Sequence, residues 1–271
     1  MFSVAEVASV SPRRRRLRKV RGVALQVLLL CFIKLIVHFF GLEKLSVSPL
    51  FSALVASTVF LLGFLLNGVL TDFKESEKIP GDLATSLEIL SLEIRAIPAY
   101  QSEARVGSAV AAIAGLSRDL LGWLGGAVTT ERLLFVYREA HAEVVGAAAQ
   151  FNGDASTLKG RLMQEMAMIL QRVNRVQAIR ETTFVPLVYW MADIASTLLF
   201  AGLVMMRSPN IAESVFFLAV ISFLLILLLR LIEDIDNPFG YSDVGSAEDV
   251  SMSSLEIVVE RLHRDRSAAG G

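Results

Sequence analysis

The sequence predicts an all-α integral membrane protein, with four transmembrane helices in two hairpins and a helical cytoplasmic domain between them. Three observations carry this. First, residues 23–42, 50–70, 184–206 and 211–232 are apolar runs. Roughly 20 residues at ~1.5 Å each cross the ~30 Å hydrocarbon core of a bilayer. Second, residues 71–182 hold no run of that length, yet apolar residues recur there at helical spacing. Third, the two short hairpin connections carry only Lys44 and Arg207, whereas nearly all other Lys and Arg lie in the N-terminal segment, the 71–182 region and the tail. The positive-inside rule then puts both termini and the large polar region in the cytoplasm. The expected divisions are a basic N-terminus (1–22), a first hairpin (23–70), a helical cytoplasmic region (71–182), a second hairpin (183–233) and a cytoplasmic tail (234–271).

Residues 1–22 open polar, with a short helix conceivable over 4–10. The block Arg13, Arg14, Arg15, Arg16, Arg18, Lys19 and Arg21 precedes the first apolar run. Its main meaning is topological, and contact with anionic lipid is the second. A secretory signal peptide is the competing reading, disfavoured because Lys34 and His38 interrupt the run and no clean cleavage site follows. Lys34 and His38 are four apart and share a helix face. Either Lys34 snorkels or pairs, with Asp193 as a candidate partner, or it attracts anions at a pore entrance.

The second run has unusual composition. Phe60, Gly63 and Phe64 lie within one turn, and Ala53, Ala56, Ser57 and Thr58 are small. Phe60 and Phe64 point to one side, and Ala53, Ala56 and Ser57 continue it. Such a face suits close helix packing, or it lines a narrow dry pore, where hydrophobic constrictions gate by dewetting. The charged stretch from Lys74 to Lys78 is either a juxtamembrane solvated cluster or an ion-pair belt between subunits.

Within 71–182, helices are expected over residues 83–96, ended or kinked by Pro98; over 102–124; from a Thr129 or Thr130 cap to about 150; and from Ser156 or Thr157 to 180. Arg161, Arg172, Arg175 and Arg180 on the last of these are salt-bridged or line a vestibule. The third span contains Pro186 and Asp193. The fourth ends at Glu233, Asp234 and Asp236, before Asn237-Pro238-Phe239-Gly240, where Pro and Gly supply a helix stop. An amphipathic helix is expected over 253–262.

The 271 residues are 54% hydrophobic with mean hydropathy +0.57, above the usual ~45–50% apolar share of soluble domains. A net charge of −1 suggests no nucleic-acid partner. One cysteine, Cys31, excludes an intrachain disulfide framework and a thiolate zinc cluster. His38, His141 and His263 have no metal-ligand spacing, and no nucleophile elbow, Walker loop or dinucleotide fingerprint appears. No catalysis, cofactor or metal is therefore expected.

The order of elements resembles the bestrophin family of anion channels along nearly the whole chain. Phe60-Leu61-Leu62-Gly63-Phe64 is similar to the family's second-span element. Pro186-Leu187-Val188-Tyr189 resembles the start of its third span, EDIDNPFG at 233–240 the signature after its fourth, and LEIVVERL at 255–262 the helix beyond. NPFG after the fourth span is the most specific part. The chain departs from the family at DFKESEK, which lacks the usual tryptophan pair, and at YSDVGSAED, too sparse in acids for the calcium clasp of animal members. The resemblance implies a homopentamer in a cell inner or plasma membrane, conducting an anion of the chloride type. Its neck would be lined by Ala56, Phe60 and Phe64. Thr183 would form a cytoplasmic constriction, with Ile179 and Val185 nearby. Asn237, Pro238, Phe239 and Gly240 would pack after the fourth span. A non-conducting scaffold or sensor of the same fold is the alternative. A secondary transporter is disfavoured by four spans with no broken pair.

Overall fold

The computed structural model describes residues 12–46, 48–150, 156–181, 186–236, 238–239 and 250–269. These form nine helices and, among the described residues, no β-strand: α1 (Pro12–Phe39), α2 (Pro49–Ser76), α3 (Ile79–Tyr100), α4 (Gly107–Leu124), α5 (Thr130–Ala149), α6 (Ser156–Glu181), α7 (Pro186–Met205), α8 (Ile211–Ile235) and α9 (Ser253–Ala269). The chain divides into two compact units. One holds residues 1–73 and 183–238 with 245–248; the other holds 74–182, 239–244 and 249–271.

The first unit contains the four helices long and apolar enough to cross a membrane. Helix α1 packs on α7 and α8, and α7 packs on α8. The core joins Leu62, Leu65 and Val69 of α2 to Leu199 and Leu203 of α7 and to Leu218, Leu225 and Ile232 of α8. Gly202 permits the close approach of α7 to α2, because a Cβ there would stand 2.9 Å from the Phe51 ring. Helix α1 starts well before its apolar run. Arg and Lys are good helix formers, and Lys19 is held by an ion pair to Asp234 at the end of α8.

Both short connections meet at one end of this unit. The N–H groups of Lys44 and Leu45 each donate to Met205 O at 3.2 Å, and Arg207 N donates to Leu45 O at 2.6 Å. Gly41, at φ +65°, turns the chain out of α1. That turn returns Glu43 to α1, where its carboxylate accepts from Lys34 Nζ at 2.5 Å and lies 3.2 Å from His38 Nδ1. Lys34 is fully buried and also donates to Met206 O. The partner of Lys34 is thus Glu43 and not Asp193, which is exposed. Glu43 needs only a tight turn to reach Lys34, whereas Asp193 lies on the outer side of α7.

The second unit is an all-helical cluster. Helix α3 packs on α4, α6 and α9; α4 packs on α5 and α9; and α5 packs on α6. Its core includes Leu83, Leu87, Leu90 and Ile94 at helical spacing on α3, Ile113, Leu116, Leu120 and Trp123 on α4, Leu162, Met166 and Ile169 on α6, and Leu255 and Leu262 on α9. Helix α3 runs through Pro98 and gives up one i→i−4 hydrogen bond there, two residues before it ends. Helix α4 begins at Gly107 rather than at 102. The Gln150 side chain captures the preceding backbone, accepting from Arg105 N at 2.7 Å and donating to Arg105 O at 3.1 Å. Thr129 caps α5, accepting from Arg132 N at 3.3 Å.

Candidate functional site

Helix α2 has two unlike faces. Its inner face carries Leu62, Leu65 and Val69 in the core, with Thr58 buried and donating to Leu54 O at 2.9 Å. Its outer face carries Ala53, Ala56, Ser57, Phe60, Gly63, Phe64, Asn67 and Thr71, all exposed. Phe60 is 76% and Phe64 62% exposed. Ala53 and Thr71 are 18 positions apart, a whole number of turns at ~100° per residue, so the stripe runs parallel to the axis for ~27 Å. The unit brings Ala56, Phe60 and Phe64 onto one line, one turn apart.

The chemistry of this stripe differs from that of the outer sides of α1 and α8. The outer side of α1 shows Leu25, Leu28, Phe32 and Phe39, and that of α8 shows Phe216, Phe217 and Leu224. Those side chains suit lipid tails. An amide at Asn67 and a hydroxyl at Thr71, alongside alanines and a glycine, do not; polar side chains at membrane depth face protein or water. The Thr71 hydroxyl donates to Asn67 O at 2.8 Å, so its oxygen keeps acceptor capacity and the Asn67 amide its donors. Asn67 and Thr71 were not singled out by sequence reasoning. Extending the Phe60–Phe64 spacing by three and then four residues finds both. A Cβ added to Gly63 would meet nothing within 4 Å, so packing within the chain does not require glycine there.

Of the residues after the fourth span, Pro238 and Phe239 are described and buried; Asn237 and Gly240 lie outside the described residues. Phe239, in the second unit, sits beneath the Arg180 guanidinium at 5.7 Å from its ring centroid. The same guanidinium lies 4.7 Å from the Trp123 ring and donates to Trp123 O at 3.2 Å and Leu124 O at 2.8 Å. A cation thus meets the carbonyl end of α4 and is covered by aromatic faces. Thr183 and Val185 lie outside the described residues.

The other arginines of α6 are engaged within the second unit. Arg161 pairs with Glu93 at 2.8 Å and Arg172 with Asp82 at 3.0 Å. Arg175 grips Glu75 with two nitrogens, at 3.0 and 2.6 Å. Of the two readings open for these arginines, the salt-bridged face is the one found. Glu75 is likewise bound inside its own chain.

Electrostatics at the connections favour charge. Burial alone would raise the Glu43 carboxyl, but hydrogen bonds from Lys34 and His38 outweigh it and hold the group below the usual carboxylate range.

No model of a known protein family matches the sequence, and no curated relative matches it. Solved structures do. A mutant of a bacterial bestrophin homologue from Klebsiella pneumoniae superposes with TM-score 0.70 at 16% identity, covering 92% of this chain and 99% of that one. A second mutant of a Klebsiella pneumoniae bestrophin homologue gives TM-score 0.72 at 17% identity, with the same coverage of 92% and 99%. A structure described as a membrane protein gives 0.74 at 15% identity, covering 89% and 97%. The chain has the fold of these bacterial bestrophin homologues over nearly its full length, including its four membrane-length helices, and is an integral membrane protein.

Proposed function

We propose that this chain, sharing the bestrophin fold, assembles as a homo-oligomer, a pentamer by that likeness, around an anion-conducting pore of chloride type. The outer stripe of α2 lines the pore, and the observation that carries this is its composition. Exposed phenyl rings, small residues, an amide and a hydroxyl align over about one bilayer core on the outer face of α2. Several copies placed around an axis would turn this stripe inward.

The stripe accounts for anion passage without a charged ring. Ala56, Phe60 and Phe64 form successive rings of a dry neck, too apolar to hold a full water shell. Phenyl edges carry positive partial charge and meet an anion that has shed some of its water. Ala56 makes its ring wider than the phenylalanine rings. The Asn67 amide then offers donors where the anion rehydrates. Such sites bind weakly enough for release, which conduction needs. Thr183, at the start of the third span, forms the second constriction. Both termini and the helical region face the cytoplasm, and the protein resides in a cell inner or plasma membrane.

The test is single-channel recording of purified protein in bilayers under asymmetric chloride, with the oligomer mass measured in parallel. Anion-selective currents are expected. Phe60→Ala with Phe64→Ala raises conductance or relaxes selectivity. An intact oligomer with a silent bilayer, or currents unchanged by the double substitution, would overturn the reading in favour of a non-conducting scaffold or sensor.

A further inference from the structure

The apolar core of the membrane unit holds hydroxyl groups. Ser196 of α7 is 2% exposed and Ser222 of α8 is 0% exposed, and neither Oγ has a hydrogen-bond partner among the described residues. A hydroxyl on a helix commonly bonds back to a carbonyl one turn earlier. Others in this chain do so: Thr58 donates to Leu54 O at 2.9 Å, Thr71 to Asn67 O at 2.8 Å and Thr85 to Gly81 O at 2.9 Å. Ser196 and Ser222 leave that bond unmade, and a buried hydroxyl without a partner is costly in an apolar interior.

Both serines point into one core. The core-facing line of α7 reads Ala192, Ser196, Leu199 and Leu203, and that of α8 reads Leu218, Ser222, Leu225 and Ile232. The two helices pack on each other. Ser196 lies nine residues before the end of α7 at Met205, and Ser222 eleven after the start of α8 at Ile211. They therefore sit ~13.5 Å and ~16.5 Å along their helices from the turn that joins these, near the middle of a ~30 Å hydrocarbon core. Thr58 lies in the same layer. The Phe51 ring meets Gly202; Thr58 follows Phe51 by seven residues, and Ser196 precedes Gly202 by six. Thr58 is buried too, and its oxygen keeps acceptor capacity after donating to Leu54 O.

The partner of these serines has a restricted chemistry. Burial inside a single chain excludes a lipid headgroup and a side chain of a second copy. What remains is a molecule that both donates and accepts and is small enough for a packed core. We propose that one internal water molecule joins Ser196, Ser222 and Thr58. It accepts from one serine and donates to the other and to the Thr58 oxygen, about three bonds, the usual number for a buried water. It ties α2 to the hairpin of α7 and α8 through hydrogen bonds that the chain does not make directly.

Cryo-electron microscopy of the full chain in lipid nanodiscs, at a resolution that shows ordered water, tests this. A compact density is expected about 2.5–3.0 Å from all three hydroxyl oxygens. A thermal-melting cycle is the second measurement. Ser196→Ala and Ser222→Ala each lower the melting temperature, and the double variant loses less than the sum of the two, because either substitution already breaks the bridge. Ser214→Ala, at the other buried serine of α8, lies eight residues from Ser222; it leaves the density in place, and its loss adds to that of Ser222→Ala. No density between the serines, a direct Ser196–Ser222 hydrogen bond in the map, or additive losses for the Ser196 and Ser222 variants would overturn the proposal.

Discussion

The buried Lys34–Glu43 pair gives the sharpest test of how the membrane unit is held. Lys34 is 0% exposed and the Glu43 side chain 9%, so neither charge is relieved by solvent. Removing one partner of such a pair leaves an uncompensated buried charge and costs about 3–5 kcal/mol. Glu43→Ala strands the Lys34 ammonium with only Met206 O as a described acceptor. Lys34→Met removes the buried cation instead, and Glu43 keeps His38; its cost is smaller, about 1–3 kcal/mol. The double variant Lys34→Met with Glu43→Gln is more stable than Glu43→Ala alone, because nothing charged remains buried. At ~2–4 °C per kcal/mol for a chain of this size, Glu43→Ala lowers the melting temperature by on the order of 10 °C. Thermal unfolding of the purified protein, followed by circular dichroism, measures all three. The pH dependence has a definite sign. The Glu43 carboxyl is held below its usual range, so its contribution is complete above the ordinary carboxylate range and is lost as pH falls through the lowered folded value. A Glu43→Ala protein melting within about 1 °C of the native chain, or one more stable than the double variant, would refute the pairing.

Gly202→Val drives a side chain into the Phe51 ring, 2.9 Å from the added Cβ; a loss of about 1–3 kcal/mol is expected, read as a lower melting temperature. Gly63→Ala meets nothing within 4 Å, so it raises that temperature by a few degrees at most, alanine favouring a helix interior over glycine by about 0.5–1 kcal/mol, and it alters single-channel conductance, since its methyl group enters the proposed neck. Arg180→Gln removes two hydrogen bonds to the end of α4 and the stacking on Trp123 and Phe239. It should cost about 2–3 kcal/mol and shift Trp123 emission; Arg180→Lys does not restore the loss, because an ammonium lacks the planar fork.

The membrane helices were legible because an apolar run of bilayer length is read directly from composition. Their ends were less so. The basic block before residue 22 reads as a boundary, yet α1 continues back to Pro12, because a long-range partner, Asp234, stands beside Lys19. The partner of Lys34 was misread for a similar reason. Charge balance cannot choose between two carboxylates, and the choice depends on the left-handed Gly41 turn that returns Glu43 to α1. The late start of α4 rests on Gln150, 45 residues beyond Arg105, which local periodicity cannot see. At the candidate site, the shared side of Phe60 and Phe64 follows from spacing alone. That Asn67 and Thr71 extend this exposed line needed the burial of the opposite face, since both also read as the polar end of a span.

The most direct measurement is cysteine accessibility along α2 during anion conduction. In a chain whose one cysteine, Cys31, is replaced by Ser, Asn67→Cys is exposed to a charged thiol reagent while single-channel chloride current is recorded. Modification is expected to block or sharply reduce the current, whereas the same reagent on Leu28→Cys, on the lipid side of α1, leaves it unchanged. Current that persists after Asn67→Cys is shown by mass to be modified would contradict a pore lined by the outer stripe of α2.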